Sequence, residues 1–260
     1  MVFRTEDGIV VPAVTAEQMR EVDRIAVEEF GLGILQMMEN AGRSLALNVM
    51  EMLDSAEGEV TVLVGSGGNG GGGLCCARHL HNRGFKVWVL LDREAAMLSE
   101  AAGSQLHVLR AAGVQLTDRS QAGEVLRRSQ MVVDALIGYG LRGVPRGRTA
   151  ELISLCNQHA LRVLSLDVPS GLDATTGETP GFVVRPNRIL TLALPKTGLH
   201  NVPGELYLAD VGIPPEVFQR LGLSFEPPFK ESYWERLVPV RKGGSLAPAP
   251  PDDRDLQGER

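Results

Sequence analysis

Hydrophobic residues follow two alternating patterns from about residue 60 onward. Short runs of consecutive apolar residues, typical of buried strands, alternate with longer segments in which apolar residues recur at helical spacing. The runs that predict strands are residues 60–64, 86–91, 131–137, 162–166, 188–193 and 205–209. Helices are predicted between strands over residues 70–83, 94–112 and 149–159. This alternation indicates βαβ units, and we predict a Rossmann-like α/β fold: a doubly wound, mostly parallel sheet with helices on both faces.

The segment before the first of these strands has a helical pattern. Thr15 and Gln18 fit a capping box, in which the two side chains satisfy free backbone N–H groups at a helix start. The apolar residues that follow at helical spacing are Met19, Val22, Ile25 and Ala26. A second helix is predicted over residues 34–53. We therefore predict an N-terminal helical extension to the sheet.

The pattern places one domain over residues 1–241 and a tail after it. Residues 242–260, "KGGSLAPAPPDDRDLQGER", are rich in proline, glycine and charge. Such a composition lacks the apolar residues needed for a packed core, so we predict a disordered tail.

Composition narrows the class of partner. The formal net charge of −6 argues against a nucleic-acid surface, which requires a clustered basic face. The sequence has no apolar run of the roughly 20 residues that span a bilayer, and its N-terminus is too polar for a secretory signal. Three cysteines without metal-ligand spacing are typical of a reduced compartment. We therefore expect a cytoplasmic protein with no membrane segment.

A glycine-rich stretch, "VGSGGNGGGGLCCARHL", joins the first predicted strand to the next helix. Gly65, Gly67 and Gly70 fit the spacing G-x-G-x-x-G, and Asp92 ends the following strand. In dinucleotide-binding folds such glycines let the backbone approach a pyrophosphate. An acidic residue at the end of the following strand binds the ribose. One hypothesis from these residues is an NAD-dependent oxidoreductase; a tight turn without a ligand is the other.

Polar residues also follow two other predicted strands. Asp134 lies near the end of one strand, and Asp167 ends the next, with Ser170 just after it. In an open α/β sheet the loops beyond the carboxyl ends of neighbouring strands face one crevice. We expect these three residues and Asn69 of the glycine-rich stretch to converge on a single pocket.

Four ordered motifs carry a family resemblance: "GSGGNGGGGLCCARHL", "DALIGYGLRG", "LDVPSGLDATTG" and "LTLALPKTG". Together with "LQMMENAGRSLA" before the first strand, they resemble the YjeF N-terminal domain family over about residues 14–213. The activity that this resemblance implies is that of NAD(P)H-hydrate epimerase. That enzyme interconverts the R and S forms of NADHX and NADPHX, cofactors hydrated at C6 of the nicotinamide ring. The dinucleotide would then be a damaged substrate, with no redox cofactor required.

The resemblance also implies roles for particular residues. Asp167 corresponds to the catalytic acid–base residue, while Asn69, Asp134 and Ser170 correspond to the ligands of one K⁺ per subunit. Lys196 and Asn40 lie within family motifs and are further site candidates. The residues implied to bind substrate are Gly68, Asn69, Gly70, Gly71, Gly72, Gly138, Tyr139, Gly140, Leu141, Arg142, Gly143, Val144 and Asp167.

The glycine-rich stretch departs from the family pattern at two positions. Gly68 stands where the family usually has asparagine, and Gly72 stands where it usually has aspartate. Two side chains that can contact a substrate are therefore missing. This leaves open a non-catalytic module of the same fold that binds nucleotide or RNA, or that dimerises, as in relatives among enhancer-of-decapping proteins.

The resemblance extends to partners. It implies a homodimer, for which the apolar face of the N-terminal helices is one candidate interface; packing of that face within the subunit is the alternative. In many relatives an ATP- or ADP-dependent dehydratase domain follows this one. Here we expect a separate NAD(P)HX dehydratase as the pathway partner.

Overall fold

The computed structural model describes residues 1–54 and 58–240, so the predicted tail lies outside the described residues. Within them, nine strands form one sheet. The strands are β1 (Val2–Thr5), β2 (Val10–Pro12), β3 (Glu59–Val64), β4 (Lys86–Leu91), β5 (Met131–Ala135), β6 (Val163–Leu166), β7 (Arg188–Leu192), β8 (Glu205–Ala209) and β9 (Trp234–Pro239). Their order across the sheet is β2-β1-β9-β8-β7-β6-β5-β3-β4.

The parallel part of the sheet contains a reversal of winding. Strands β4, β3, β5, β6, β7 and β8 are parallel neighbours, and β9, β1 and β2 add an antiparallel edge. The chain moves outward from β3 to β4, then returns to the other side of β3 to form β5. Ligands of doubly wound sheets bind at the carboxyl ends of the strands beside such a switch point. The order also differs from that of dinucleotide-binding dehydrogenases, in which the first three strands lie in sequence across the sheet.

Helices cover both faces of this sheet. They are α1 (Ala16–Arg24), α2 (Ile34–Leu53), α3 (Gly68–His81), α4 (Glu100–Ala111), α5 (Ala122–Arg128), α6 (Gly147–His159) and α7 (Pro215–Arg220). On β3, Val62 joins a buried cluster with side chains of α2, α3 and α4, whereas Leu63 joins a cluster with α5 and α6. Because both faces of the central strands are buried, these strands read as continuous apolar runs. The predicted fold class is confirmed.

Predicted and observed element boundaries agree best for strands that are buried on both faces of the sheet. The six predicted strands match β3 to β8 within two residues at each end. Thr15 forms the predicted capping box with Gln18, and α1 then continues into a π-helical turn at Ile25–Glu29. The apolar residues of α1 pack inside the subunit against β1 and the loops after β6 and β7.

Other elements differ from the predictions. The predicted helix over residues 94–112 is a 3₁₀ turn followed by α4, because the Ser99 hydroxyl caps a new helix start by accepting from the Ala102 N–H. Five elements were not predicted from the sequence: β1, β2, β9, α5 and α7. These elements are short or mix polar and apolar residues, as in "WERLVP" of β9, so neither period stands out.

The glycine-rich stretch is largely helical. Helix α3 begins at Gly68, and its next glycines pack against the sheet and α2. A Cβ atom on Gly70 would lie 1.8 Å from the Gly65 carbonyl oxygen, and one on Gly73 would lie 2.5 Å from the Ala135 Cβ. These glycines therefore allow a close approach of backbone segments, whereas a Cβ on Gly68 would meet nothing within 4 Å.

This contrast predicts opposite effects of alanine in the same helix. Gly70→Ala forces a Cβ into backbone atoms that cannot move aside, and we expect it to lower the free energy of unfolding by about 3 kcal/mol or more. Gly68→Ala enters open space at the first helical turn and is expected to leave stability unchanged or raise it by up to about 1 kcal/mol. Urea denaturation of both variants measures this difference. Equal midpoints for the two variants would contradict the packing role of Gly70.

Candidate active site

A cavity of about 980 Å³ opens at the switch point of the sheet. Its floor is formed by the carboxyl ends of the parallel strands, and α1 and α2 contribute the facing wall through residues such as Asp23 and Met37. This volume lies at the upper end of the range for small-molecule sites. The N-terminal helical extension is therefore part of the cavity.

Asp167 lies in the floor of this cavity, directly after β6. Its backbone has φ of +70°, a left-handed conformation that aspartate tolerates better than most residues. Its side chain is almost completely buried and accepts three hydrogen bonds. Oδ2 accepts from the Tyr139 N–H at 2.9 Å, while Oδ1 accepts from the Lys196 ammonium and from the Thr191 hydroxyl at 3.4 Å. These contacts fix the carboxylate at one position in the cavity wall.

Lys196 forms a buried ion pair with Asp167. The lysine is 1% exposed, and its Nζ also donates to the Leu192 carbonyl oxygen at 2.8 Å. A buried ammonium is stable only with a counter-charge and hydrogen-bond acceptors, and both are present here. The motif containing Lys196 marked it as a candidate, but its sequence pattern did not identify the carboxylate that it pairs with.

Tyr139 links Asp167 to a second carboxyl group. Its hydroxyl donates to Asp23 Oδ2 at 2.5 Å, and its backbone N–H is the group bound to Asp167. Burial raises the pKa of the Asp23 carboxyl, although the Tyr139 hydrogen bond and the Lys196 charge partly oppose this rise. Sequence reasoning missed Asp23, because one polar residue in an amphipathic helix is usually a solvent-facing residue.

Asp134 and Ser170 are adjacent but lie behind the cavity wall. The Ser170 hydroxyl and backbone N–H donate to the fully buried Asp134 carboxyl at 2.5 and 2.9 Å, and the Ser165 hydroxyl donates at 2.8 Å. Burial raises the pKa of Asp134, against the lowering effect of these hydrogen bonds. In the part of the chain that is described, no lysine or arginine pairs with this carboxyl.

Asn69 lies at the cavity surface near Asp167. Its Nδ2 donates to the Leu166 carbonyl oxygen at 3.2 Å. A Cβ atom on Gly138 would lie 2.9 Å from Asp167 Oδ2 and 3.1 Å from Asn69 Oδ1. Glycine at position 138 therefore keeps both oxygen atoms open to a ligand. Asn69 makes no direct hydrogen bond to Asp134 or Ser170 among the described contacts.

Most of the residues implied to bind substrate line the cavity. These are Gly68, Asn69, Gly72, Gly138, Tyr139, Gly140, Leu141, Arg142, Val144 and Asp167. Gly70, Gly71 and Gly143 do not line it, and Gly70 and Gly71 instead pack inside α3.

Asp92 lies at another part of the cavity wall together with arginine side chains. Its carboxylate accepts from the Thr149 hydroxyl at 2.8 Å and pairs with Arg93. Arg142 and Arg146 also line this region. Because Asp92 already has two partners, it differs from the free ribose-binding acid that the oxidoreductase hypothesis requires.

A separate polar cluster lies between α2 and α3. Glu39 Oε1 contacts His79 Nε2 at 2.8 Å, and the Cys75 thiol donates to Glu39 Oε2 at 3.3 Å. The ligand atoms of these three residues are within 4.8 Å of one another. The Arg78 guanidinium bonds both Glu39 and Cys75. The Arg78 guanidinium already supplies positive charge to the Glu39 carboxylate, so we interpret the cluster as an ion-pair network.

A match to a known protein family identifies the family of this chain. The family model described as YjeF-related protein N-terminus matches residues 34–198, well over half of the chain. The chain belongs to the YjeF N-terminal family.

Relatives in the YjeF N-terminal family cover nearly the whole chain. A protein of Dehalogenimonas lykanthroporepellens named NAD(P)H-hydrate epimerase is 50% identical over 91% of this chain and 97% of its own. One of the same name from Truepera radiovictrix is 38% identical over 86% of this chain and 100% of its own. The Salinibacter ruber protein named bifunctional NAD(P)H-hydrate repair enzyme Nnr is 36% identical over 82% of this chain, which corresponds to 43% of its own length.

A solved structure has the same fold as this YjeF N-terminal domain. The crystal structure of the yeast protein Ynu0 superposes with a TM-score of 0.76 at 24% identity, over 88% of this chain and 100% of that one. Within residues 1–54 and 58–240, no helix combines the length and apolar character that a membrane span requires.

Proposed function

We propose that this chain is an NAD(P)H-hydrate epimerase that interconverts the R and S forms of NADHX and NADPHX. The observation that carries the proposal is the Asp167–Lys196 ion pair in the floor of a cavity at the switch point of the sheet. Half of the aligned residues are identical in a relative that bears this enzyme's name.

The chemistry of epimerisation requires a group that moves a proton at the C6 hydroxyl of the hydrated ring. Inversion proceeds either through loss of water to an iminium ion and its return to the other face, or through ring opening. Asp167 is held by Lys196 and Tyr139 as a fixed carboxylate that can accept or return that proton. Its negative charge also stabilises a cationic intermediate, because the group is already oriented before reaction.

Substrate binding involves the lining of the cavity around Asp167. We assign the nicotinamide end of the substrate to the region around Asn69 and Gly138. There the side-chain oxygen atoms of Asn69 and Asp167 lie close to the Gly138 backbone. The arginines Arg142 and Arg146 supply positive charge for phosphate groups. The absence of side chains at Gly68 and Gly72 removes two ligand contacts, each typically about 0.5–1.5 kcal/mol in binding, but leaves the acid–base carboxylate in place.

The side-chain oxygen atoms of Asn69, Asp134 and Ser170 are of the chemical types that bind potassium ions. A hard cation prefers amide, carboxylate and hydroxyl oxygens. The buried Asp134 carboxyl has no cationic side chain beside it in the described part of the chain, and buried charges are usually paired or bound to a metal. The Ser170 hydroxyl can donate to Asp134 and still offer an oxygen lone pair to an ion. Asn69, Asp134 and Ser170 would hold K⁺, and the ion would supply the counter-charge that the Asp134 carboxyl lacks.

We further propose a cytoplasmic homodimer with a separate NAD(P)HX dehydratase as its pathway partner. Relatives named bifunctional repair enzymes are more than twice as long as the segment that this chain matches, which supports a second activity acting in sequence. For the dimer, exposed apolar side chains at the start of α2, Ile34 and Leu35, offer a candidate contact surface.

The decisive experiment uses purified R-NADHX with the full chain and potassium chloride. Chromatographic separation of the R and S forms is expected to show equilibration well above the spontaneous rate, with slower equilibration when sodium replaces potassium. Absorbance at 340 nm with candidate redox substrates is expected to stay constant, unlike that of a dehydrogenase. A background epimerisation rate with folded protein would contradict the proposal and favour the non-catalytic module that Gly68 and Gly72 leave open.

A further inference from the structure

A second carboxyl group faces the cavity that contains Asp167. Asp23 lies on α1, in the N-terminal extension, and both it and Tyr139 line the cavity. Tyr139 connects the two carboxyl groups, since its backbone N–H binds Asp167 and its hydroxyl binds Asp23. Tyr139 therefore bridges the two carboxyl groups, one through its backbone and the other through its hydroxyl.

The contacts of Asp23 leave it free to act on a ligand. Its Oδ2 accepts from the Tyr139 hydroxyl, and among the described contacts Oδ1 has no protein donor. A carboxyl held at one oxygen and open at the other has a fixed orientation and one free position for a proton or a hydroxyl group. An ordinary structural aspartate would instead cap a helix or pair with a basic side chain; Asp23 lies in the last turns of α1, away from its N-cap, Thr15.

The surroundings of the two carboxyl groups differ. Asp167 forms a direct ion pair with the Lys196 ammonium. Asp23 has no direct ion pair among the described residues; burial raises its pKa, and the charge of Asp167 adds to that rise. The charged or titratable groups that face Asp23 are Tyr139, Lys196 and Asp167, together with Arg20 on its own helix. Two carboxyls in unlike environments within one site are a typical arrangement for an acid and a base.

We propose that Asp23 is the second acid–base residue of this site, acting on the face of the hydrated ring opposite to Asp167. The proposal rests on the proposed epimerase function. Tyr139 acts as a positioning residue, since it holds Asp23 and Asp167 at a set separation.

In the proposed epimerisation the two carboxyl groups share one proton, so each proton that one group donates is regained by the other. Protonated Asp23 gives its proton to the C6 hydroxyl, the C–O bond breaks to release water, and the ring-nitrogen lone pair forms the C=N bond of an iminium ion. Water then adds to C6 from the other face and its proton passes to Asp167. The reverse direction uses Asp167 as acid and Asp23 as base. Exchange with solvent restores the starting protonation state, so no oxidant or other reactant is consumed.

Asp23→Asn tests the proposal with the isosteric change. Initial rates of R to S conversion are expected to fall about 100-fold or more in kcat, with KM within threefold of the wild type. The matched control is Glu17→Gln on the same helix, which removes an exposed carboxylate outside the cavity and is expected to leave both constants unchanged.

The pH profile separates an acid–base role from a structural one. Because the active form carries one proton on the pair, wild-type kcat is expected to fall as the pH rises through the elevated pKa of Asp23. That alkaline decline should be absent in Asp23→Asn and present, at a lower rate, in Asp23→Glu. Tyr139→Phe is expected to keep the decline but move it to higher pH, because the hydrogen bond that lowers the pKa of Asp23 is lost. It serves as a second probe should the asparagine variant be unstable.

The outcomes distinguish this proposal from the function on which it rests. An active wild type, an inactive Asp167→Asn variant and unchanged kcat in Asp23→Asn would overturn the assignment of Asp23 alone. An alkaline decline that persists in Asp23→Asn would also overturn it. A folded wild type without epimerase activity would instead overturn the proposed function itself.

Discussion

Replacing Asp167 with asparagine is expected to lower the epimerisation rate by about 10²–10⁴-fold, the usual contribution of a positioned acid–base group. Asparagine has nearly the same shape, but its amide group is too weak a base to accept the proton. It also tolerates the left-handed backbone at this position, where φ is +70°, whereas alanine would add backbone strain. The asparagine variant therefore removes the carboxylate without adding backbone strain, and it also leaves the Lys196 ammonium without its counter-charge.

The rate is measured as the approach of R-NADHX to the R/S equilibrium, with circular dichroism to confirm folding. Asp173→Asn is the matched control. This residue lies in the same loop, accepts backbone N–H bonds from Thr175 and Thr176, and does not line the cavity. A rate for Asp167→Asn equal to that of the control would remove Asp167 from the mechanism.

Replacing Lys196 with methionine is expected to lower the free energy of unfolding by about 3–5 kcal/mol. The change leaves the buried Asp167 carboxylate without its counter-charge and removes a donor from the Leu192 carbonyl oxygen. Methionine keeps most of the side-chain volume, so a cavity contributes little to the loss. Urea denaturation at neutral pH measures the difference.

The double variant Asp167→Asn with Lys196→Met shows whether charge is the cause. Removing both charges is expected to restore at least half of the stability lost in Lys196→Met, because no unpaired buried ion remains. Activity should remain absent in the double variant, since the acid–base carboxylate is missing. A loss of stability in the double variant equal to the sum of the two single losses would show that the two side chains do not act as a pair.

The same ion pair connects the cavity floor to the rest of the fold. Lys196 lies just before the 3₁₀ turn at Thr197–Asn201, and Val14 pairs with that segment through a parallel bridge. The N-terminal extension, the loop after β7 and the cavity floor are thus joined at one place. Variants at this junction should be compared for stability before any difference in rate is assigned to chemistry.

Local sequence patterns predicted the central elements accurately, and burial explains why. Strands β3 and β5 to β7 have helices on both faces, so nearly every residue is buried and most are apolar, which makes the runs easy to recognise. The capping box at Thr15 was equally readable, since it depends on residues three apart. At the antiparallel edge, β1 has the sequence "VFRT" with alternating burial over only four residues, too short for a period to be recognised.

The sequence by itself determined the fold class, the family and the carboxylate after β6, because these follow from local periodicity and from motifs that lie within short segments. Only the tertiary structure showed which side chains contact each other in the cavity. Asp167 pairs with Lys196 across 29 residues, and Tyr139 binds Asp23 across 116 residues. It also showed that the glycines of α3 mainly allow close packing. Contacts between distant segments depend on which loops come together at the switch point of the sheet. Local sequence patterns do not contain this information.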